Sequence, residues 1–352
     1  MTARQVDFAL FGSTVLTRLL AGLLRSLHGR SVLLVGESQA RFRLPRNLDL
    51  SVAPVTRPQT WELLQRGAAE TADLLKRMGA RRSLVRTDPI FFADTAVGKE
   101  ALSHFRHMAQ AFGQAAEKLP PAMLGQGRDG VAVRDAVLLD TANLEPLLEN
   151  WLAGHAVKRV DALDDVEWGA NGAGRARWAG EDVAFGMAVL CDDAAIVAHG
   201  GDLTSQPTLT RRHGTTVLCR AVAPLAAPLM HQLDQGLSLL QRDGHGLVAL
   251  GGGGMDRFLP ALENLLGRRR SPEQIGQAEY ATIRSADAAP VIGALAGGAT
   301  IFAGLGPSGA FLAPSLARWL CGTAAGAEAA WLIAHGPDRD PASSFVAEWS
   351  PA

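Results

Sequence analysis

Cysteine and tyrosine are scarce in this chain of 352 residues, which has three cysteines and a single tyrosine, Tyr280. The cysteines are far apart, with no Cys-x-x-Cys pair and no His–Cys cluster, so neither a zinc nor an iron–sulfur site is predicted. Their odd number favours buried, reduced thiols in a reducing compartment. We therefore assign no metal to the sequence and expect a cytoplasmic protein.

A charge excess and long apolar runs are also lacking. Lys plus Arg is 34 and Asp plus Glu is 35, so the balance predicts neither nucleic acid nor an anionic membrane as partner. Arg18 and Arg25 interrupt the apolar stretch 15–27, which is too short to cross a bilayer. The length and the 47% hydrophobic content predict about two domains with a sizeable core.

The amino-terminal region reads as a strand, a helix and a second strand. Residues 6–11 form a short apolar run that is typical of a buried parallel strand, and residues 12–14 form the turn after it. Leucines recur at helical spacing through residues 15–27, and residues 31–35 are a second apolar strand. Two such strands joined by one helix predict a right-handed βαβ unit.

The rest of the chain changes character several times. Residues 38–58 carry arginines and prolines without periodicity and predict a long loop, whereas residues 60–118 are expected to be mostly helical. The remaining predicted elements are a strand at 131–139, a helix at 143–153, antiparallel strands from residue 214 with a hairpin at 237–250, a helix at 255–266, a strand at 281–284, a glycine turn at 304–309 and a helix at 310–320.

Four stretches, in this order, resemble the D-amino-acid oxidase/glycine oxidase family of FAD-dependent oxidoreductases. They are VDFALFGSTVLTRLLAGLL (6–24), DTANLEPLLENWLA (140–153), RDGHGLVALGGGG (242–254), and RSADAAPVIGAL (284–295) followed by IFAGLGPSGAFLAPSLARWLCG (301–322). The resemblance implies an α/β fold with a Rossmann-like FAD-binding domain on a parallel sheet and a substrate domain on a mixed or antiparallel sheet. It implies an FAD-binding domain at 1–80, 131–205 and 285–352, and a substrate domain at 81–130 and 206–284.

The dinucleotide fingerprint Gly-x-Gly-x-x-Gly is degenerate in this chain. Gly12 fills its first position, whereas Thr14 and Thr17 stand at the second and third. A side chain at Thr14 adds bulk where a diphosphate approaches the backbone, although its hydroxyl could donate to a phosphate. The helix amino terminus still offers free N–H groups. We expect Gly12, Ser13 and Thr14 to bind the cofactor.

Further cofactor contacts follow from the resemblance. The acid that binds the adenosine ribose falls where Gly36 stands, so Glu37 either takes that role after a local bulge or is a solvated loop residue. Arg43, beside Arg41 and Arg46, contacts FAD or a partner, or lies in a solvated basic loop. The carboxy-terminal turn is expected to aim a helix amino terminus at the flavin ring, through Gly304, Gly306, Ser308 and Gly309.

Two residues are candidates for chemistry on the substrate. Pro307 stands where related glycine-oxidase-like enzymes have an arginine that clamps the substrate carboxylate. Arg284 matches another arginine of the family, just before the last FAD segment, and His245 lies in a hairpin of the predicted substrate domain. We predict site roles for Arg284 and His245; the alternatives are a structural role for Arg284 and an exposed turn position for His245.

The resemblance favours an FAD-dependent oxidoreductase that oxidises an amine, imino acid or related small substrate by hydride transfer to flavin. The alternative is a non-catalytic, flavoprotein-like subunit or accessory protein that kept the fold and binds a protein partner or a second copy of itself. The departures at Thr14, Thr17, Gly36 and Pro307 motivate this alternative. A flavin monooxygenase would also need NAD(P)H, and no second nucleotide fingerprint calls for it.

Overall fold

The computed structural model describes residues 4–38, 44–201, 208–220, 223–241, 244, 246–267, 270 and 272–340. The helices are α1 (Val15–Ser26), α2 (Pro58–Arg77), α3 (Ala96–Ala111), α4 (Pro121–Leu124), α5 (Thr141–Gly154), α6 (Asp193–His199), α7 (Met255–Leu266), α8 (Ala313–Leu320) and α9 (Gly326–Ala334). Among the described residues, none of these helices is long and apolar enough to span a membrane.

The strands up to residue 190 are β1 (Arg4–Phe11), β2 (Val32–Val35), β3 (Leu84–Thr87), β4 (Ile90–Ala93), β5 (Ala116–Lys118), β6 (Asp129–Val133), β7 (Ala136–Leu139), β8 (Lys158–Val160), β9 (Asp165–Trp168), β10 (Gly174–Trp178) and β11 (Glu181–Leu190). Those that follow are β12 (Leu209–Cys219), β13 (Leu229–Gln232), β14 (Leu237–Gln241), β15 (Leu247–Gly252), β16 (Gln274–Ser285), β17 (Val291–Ala294) and β18 (Thr300–Ala303).

The first sheet has the order β17-β18-β11-β1-β2-β8, and the β9–β10 hairpin extends from β11. Strands β18, β11, β1, β2 and β8 are parallel to one another. Strand β1 is central, and its apolar residues are buried on both faces, as the run at 6–11 predicts. Helices α1, α5 and α8 cover one face with buried leucines, which confirms the predicted α/β class.

The second sheet has the order β16-β12-β15-β14-β13-β4-β6-β5 and is mostly antiparallel, with β13 and β4 as a parallel pair. The predicted hairpin at 237–250 is confirmed as β14 and β15. One face of this sheet packs on α7. Strand alternation and register place Tyr280, Arg284, Arg212, Thr216 and His231 together on the other face.

The prediction that residues 60–118 are mostly helical is wrong in its middle. Helices α2 and α3 flank strands β3 and β4, and all four residues of β4 are buried in the second sheet. Pro89 precedes β4 and cannot lie inside a helix without loss of a hydrogen bond. The predicted strand at 131–139 is likewise two strands, β6 and β7, separated at Asp135, which has a positive φ of 56°. The predicted domain boundary at residue 131 falls inside β6.

Candidate functional site

The carboxyl ends of the parallel strands form one edge, where ligands of open α/β sheets bind. The Gly12 amide donates to the Val35 carbonyl at 2.9 Å, which joins the turns after β1 and β2. The Cys191 amide donates to the Phe11 carbonyl at 2.8 Å, which brings the segment after β11 to the same place. Loops that are distant in sequence therefore meet around Gly12.

The turn after β1 leads into the amino terminus of α1, and threonine side chains lie where the fingerprint has glycines. Gly12 has a φ of 147°, and a Cβ there would lie 2.6 Å from Thr17 Oγ1. Thr14 is the N-cap of α1, and its Oγ1 accepts from the Thr17 amide at 3.4 Å. Its Oγ1 also lies 3.0 Å from Thr17 Oγ1. The Thr14 hydroxyl is therefore engaged in capping its own helix.

A carboxylate lies against this turn. Asp192 Oδ2 accepts the Ser13 amide at 2.7 Å, and Oδ1 accepts the Ala195 amide at 2.9 Å. Burial raises the pKa of Asp192, while the amides of Ala195, Ser13 and Thr14 and the charge of Arg46 oppose that rise. Asp192 was not among the predicted site residues, although an acid pair one residue after an apolar strand is a signal that the sequence contains.

The end of β2 excludes a ribose-binding acid at position 36. Gly36 has a φ of 153°, and a Cβ there would lie 2.2 Å from the Gly12 carbonyl oxygen, so no side chain is accommodated. Glu37 is exposed, and its backbone carbonyl accepts Arg18 Nη2 at 3.3 Å. A ribose role for Glu37 remains a prediction.

A buried ion network lies beside the two turns. Arg18 is 1% exposed, and its Nη1 lies 2.5 Å from Glu145 Oε1 and 3.2 Å from the Ser13 carbonyl oxygen. Glu149 bridges Arg18 and Arg159, at 3.0 Å from Arg18 Nε and 2.7 Å from Arg159 Nη1. Helix α5 supplies both glutamates, so this network ties α1 to α5 and to the loops that carry Ser13 and Glu37.

The carboxy-terminal turn packs beside the first turn of α1. Gly304 and Gly306 have positive φ values of 66° and 55°, and a Cβ on Gly309 would lie 3.7 Å from Leu16 Cδ2. Ser308 is buried and donates to the Leu50 carbonyl at 3.0 Å, and the Leu50 amide donates to the Pro307 carbonyl at 2.7 Å. The predicted residues of this turn therefore lie at the same edge as Gly12, fastened to the loop that follows β2.

Helix α6 connects this edge to β16, the edge strand of the second sheet. Asp193 accepts the Ile283 amide of β16, and burial together with Asp192 raises the pKa of Asp193 to about 7. Arg284 interacts with Asp193, and burial and the nearby Arg212 lower the pKa of Arg284. Arg284 is therefore half-buried on β16, near Asp193 of α6.

Two further side chains lie on the same face of the second sheet as Arg284. Burial and Arg284 lower the pKa of His231 to about 4, so its imidazole is neutral at neutral pH, with Nδ1 2.9 Å from Ser238 Oγ. The Tyr280 hydroxyl donates to the Arg46 carbonyl at 3.0 Å. His231 carried no signal in the sequence, because only the strand register brings it towards Arg284. Arg43 and His245 lie outside the described residues.

Three solved structures share this architecture over nearly their whole length. Glycine oxidase from Geobacillus kaustophilus has a TM-score of 0.69 at 15% identity, over 92% of this chain and 95% of that chain. L-Proline dehydrogenase from P. horikoshii has a TM-score of 0.71 at 14% identity, over 98% and 100%. L-Amino acid deaminase from Proteus vulgaris has a TM-score of 0.65 at 14% identity, over 96% and 92%.

The chain has the fold of these three proteins. That result confirms the fold implied by the sequence resemblance, and identities of this size carry the comparison no further than the fold. No protein-family model and no curated protein matches the sequence.

An FAD diphosphate fits this edge only after a rearrangement. The helix amino terminus at Thr14 and the adjoining turn at Gly304 are the features that such a group needs. However, the Ser13 amide that a diphosphate would need already donates its hydrogen bond to Asp192 Oδ2. A diphosphate would have to displace the Asp192 carboxyl group before it could accept the Ser13 N–H.

Proposed function

We propose that the protein is an FAD-dependent oxidoreductase that oxidises a small amine or amino acid bearing a carboxylate. The half-buried guanidinium of Arg284 carries this proposal. It lies on the second sheet and interacts with Asp193, which follows Asp192 at the strand edge where open α/β sheets bind their ligands. A buried arginine binds a carboxylate with paired, charge-assisted hydrogen bonds.

The residues around Arg284 suit a zwitterionic substrate. Arg284 binds the carboxylate, and Asp193, which interacts with Arg284 and has a pKa of about 7, can pair with the ammonium group or take its proton. Neutral His231 adds no positive charge that would repel that ammonium group. FAD, when bound, would accept the hydride from the carbon next to nitrogen, so that the product is an imine.

A second candidate function is a protein that kept the fold without binding a dinucleotide and acts by binding a partner. The observation that favours it is the occupation of the Ser13 amide by Asp192. Such a protein would show no flavin chemistry with any substrate, whatever its Arg284 does.

Replacement of Arg284 by alanine is expected to lower kcat/KM of the FAD-loaded protein for an amino acid by roughly 10- to 100-fold. That range corresponds to the loss of about 1.5–3 kcal/mol of hydrogen bonding to a charged group. The measurement is the rate of flavin bleaching under anaerobic conditions across a panel of amino acids and of the corresponding amines that lack the carboxylate.

The corresponding amines should lose little in the Arg284→Ala variant. Arg211→Ala is the matched control, because Arg211 is an exposed residue on the opposite face of β12 and should leave both substrate series unchanged. Equal losses for amino acids and amines would contradict the carboxylate-binding role.

A further inference from the structure

The carboxylate of Asp192 occupies the concavity at the amino end of α1. Its Oδ2 lies 2.7 Å from the Ser13 amide nitrogen, and a Cβ added to Gly12 would come within 2.8 Å of the same oxygen. Asp192 also hydrogen-bonds the backbone of Thr14. The Asp192 side chain thus accepts the backbone N–H groups of Ser13 and Thr14, just before this helix.

The position of Asp192 is fixed by two elements at once. It follows β11, which pairs with β1, so its side chain reaches across to the turn after β1. It is also the N-cap of α6, through the bond from the Ala195 amide to Oδ1 at 2.9 Å. Capping holds the side chain in the orientation that presents Oδ2 to Ser13.

The same donors are those that a dinucleotide diphosphate requires at a βα turn. A backbone amide donates one hydrogen bond, so the phosphate and the carboxylate compete for it. The Asp192 carboxyl and a phosphate are both acceptors for these amides, and in its ionised form the carboxylate would also repel the phosphate. Arg46 interacts favourably with the Asp192 carboxylate, whereas Asp193 brings a second acid beside it.

We propose that Asp192 is an intramolecular competitor of the dinucleotide phosphates, which holds the turn closed until a diphosphate displaces it from Ser13 and Thr14. The inference rests on the proposed function for the identity of the ligand, FAD. Asp192 is a positioning residue: it sets the affinity for the cofactor and touches no reacting atom.

The test is a calorimetric binding titration. The full chain and its Asp192→Ser variant are each titrated with FAD, ADP and riboflavin. Serine still caps α6 but is too short to keep its oxygen on the Ser13 amide. We expect FAD and ADP to bind at least about tenfold more tightly to the variant. Riboflavin, which has no phosphate, should bind both proteins equally.

Two further variants serve as controls for the loss of the helix cap and for the loss of an acidic side chain. Asp192→Asn keeps a capping oxygen and removes the charge, so it should show a smaller gain for the same two ligands and serves if the serine variant does not fold. Asp182→Asn removes an acidic side chain from the exposed start of the same strand β11, where Asp182 pairs with Arg177 at 2.7 Å and does not contact the turn, and should leave the ADP affinity nearly unchanged.

The outcomes separate this inference from the proposed function. Equal FAD affinity in the natural chain and in both Asp192 variants overturns the competition and leaves the function standing. FAD binding by a variant but not by the natural chain supports the competition and contradicts the function. Failure of a folded Asp192→Ser variant to bind either FAD or ADP overturns the inference as well, since freed amides should then accept phosphate.

Discussion

Replacement of Arg18 by methionine is expected to lower the free energy of unfolding by about 3–5 kcal/mol, because it leaves a buried carboxylate without its counter-ion. The side chains of Arg18 and Glu145 are only 2% and 3% exposed, and their closest atoms are 2.5 Å apart. The same change also leaves the Ser13 and Glu37 carbonyls without the guanidinium donors. Urea-induced unfolding measures the difference directly.

A matched control separates burial from charge. Arg66 and Glu62 form an ion pair four residues apart on α2 with exposed side chains, and Arg66→Met should cost no more than about 0.5 kcal/mol. The double variant Arg18→Met/Glu145→Gln should recover part of the loss, because it removes the stranded charge. A loss below about 1 kcal/mol for Arg18→Met would show that the network contributes little to stability.

Replacement of Asp49 by asparagine is expected to stabilise the protein at pH 8 by up to roughly 4 kcal/mol and to change little at pH 4. Asp49 is 4% exposed, and burial raises the pKa of its carboxyl to about 7. Its Oδ1 accepts a hydrogen bond from the Asn47 side-chain amide at 3.4 Å. Asparagine keeps the shape of the side chain and cannot ionise.

The sign follows from proton binding. Between the pKa of the unfolded chain, about 3.9, and about 7, the folded protein holds a proton on Asp49 that the unfolded chain releases. The contribution of Asp49 to stability therefore falls as pH rises through this window, and the loss is complete above it. The unfolding free energies of natural chain and variant, measured at pH 4, 6 and 8, should diverge as pH rises. Parallel values would contradict the buried titration.

Much of the first sheet could be predicted from local sequence. Apolar runs at 6–11 and 31–35 flank a leucine-rich helix, and their period and length identify β1, α1 and β2 without long-range information. The hairpin β14–β15 and helix α7 were also predicted from local sequence. Strand β4 was not, because four apolar residues between two helices do not reveal whether they will pair with a distant strand, here β13 and β6.

The candidate site also has a part that local sequence predicts and a part that only the tertiary fold determines. Gly12, Ser13 and the turn at Gly304 follow from motifs, and the fold brings them to one edge. The contacts that fill the edge, Asp192 to Ser13 and Arg18 to Glu145, join residues far apart in the chain. They depend on strand order and helix packing, which local pattern does not specify.

The central claim is that this strand edge binds FAD even though Asp192 competes for its amides. Equilibrium dialysis of the purified full chain against a series of FAD concentrations, read by the visible absorbance of flavin in each chamber, tests it most directly, because it detects weak binding that gel filtration would lose. The account predicts saturable uptake of one FAD per chain, displaced by excess ADP. Equal flavin in both chambers at every concentration would contradict it.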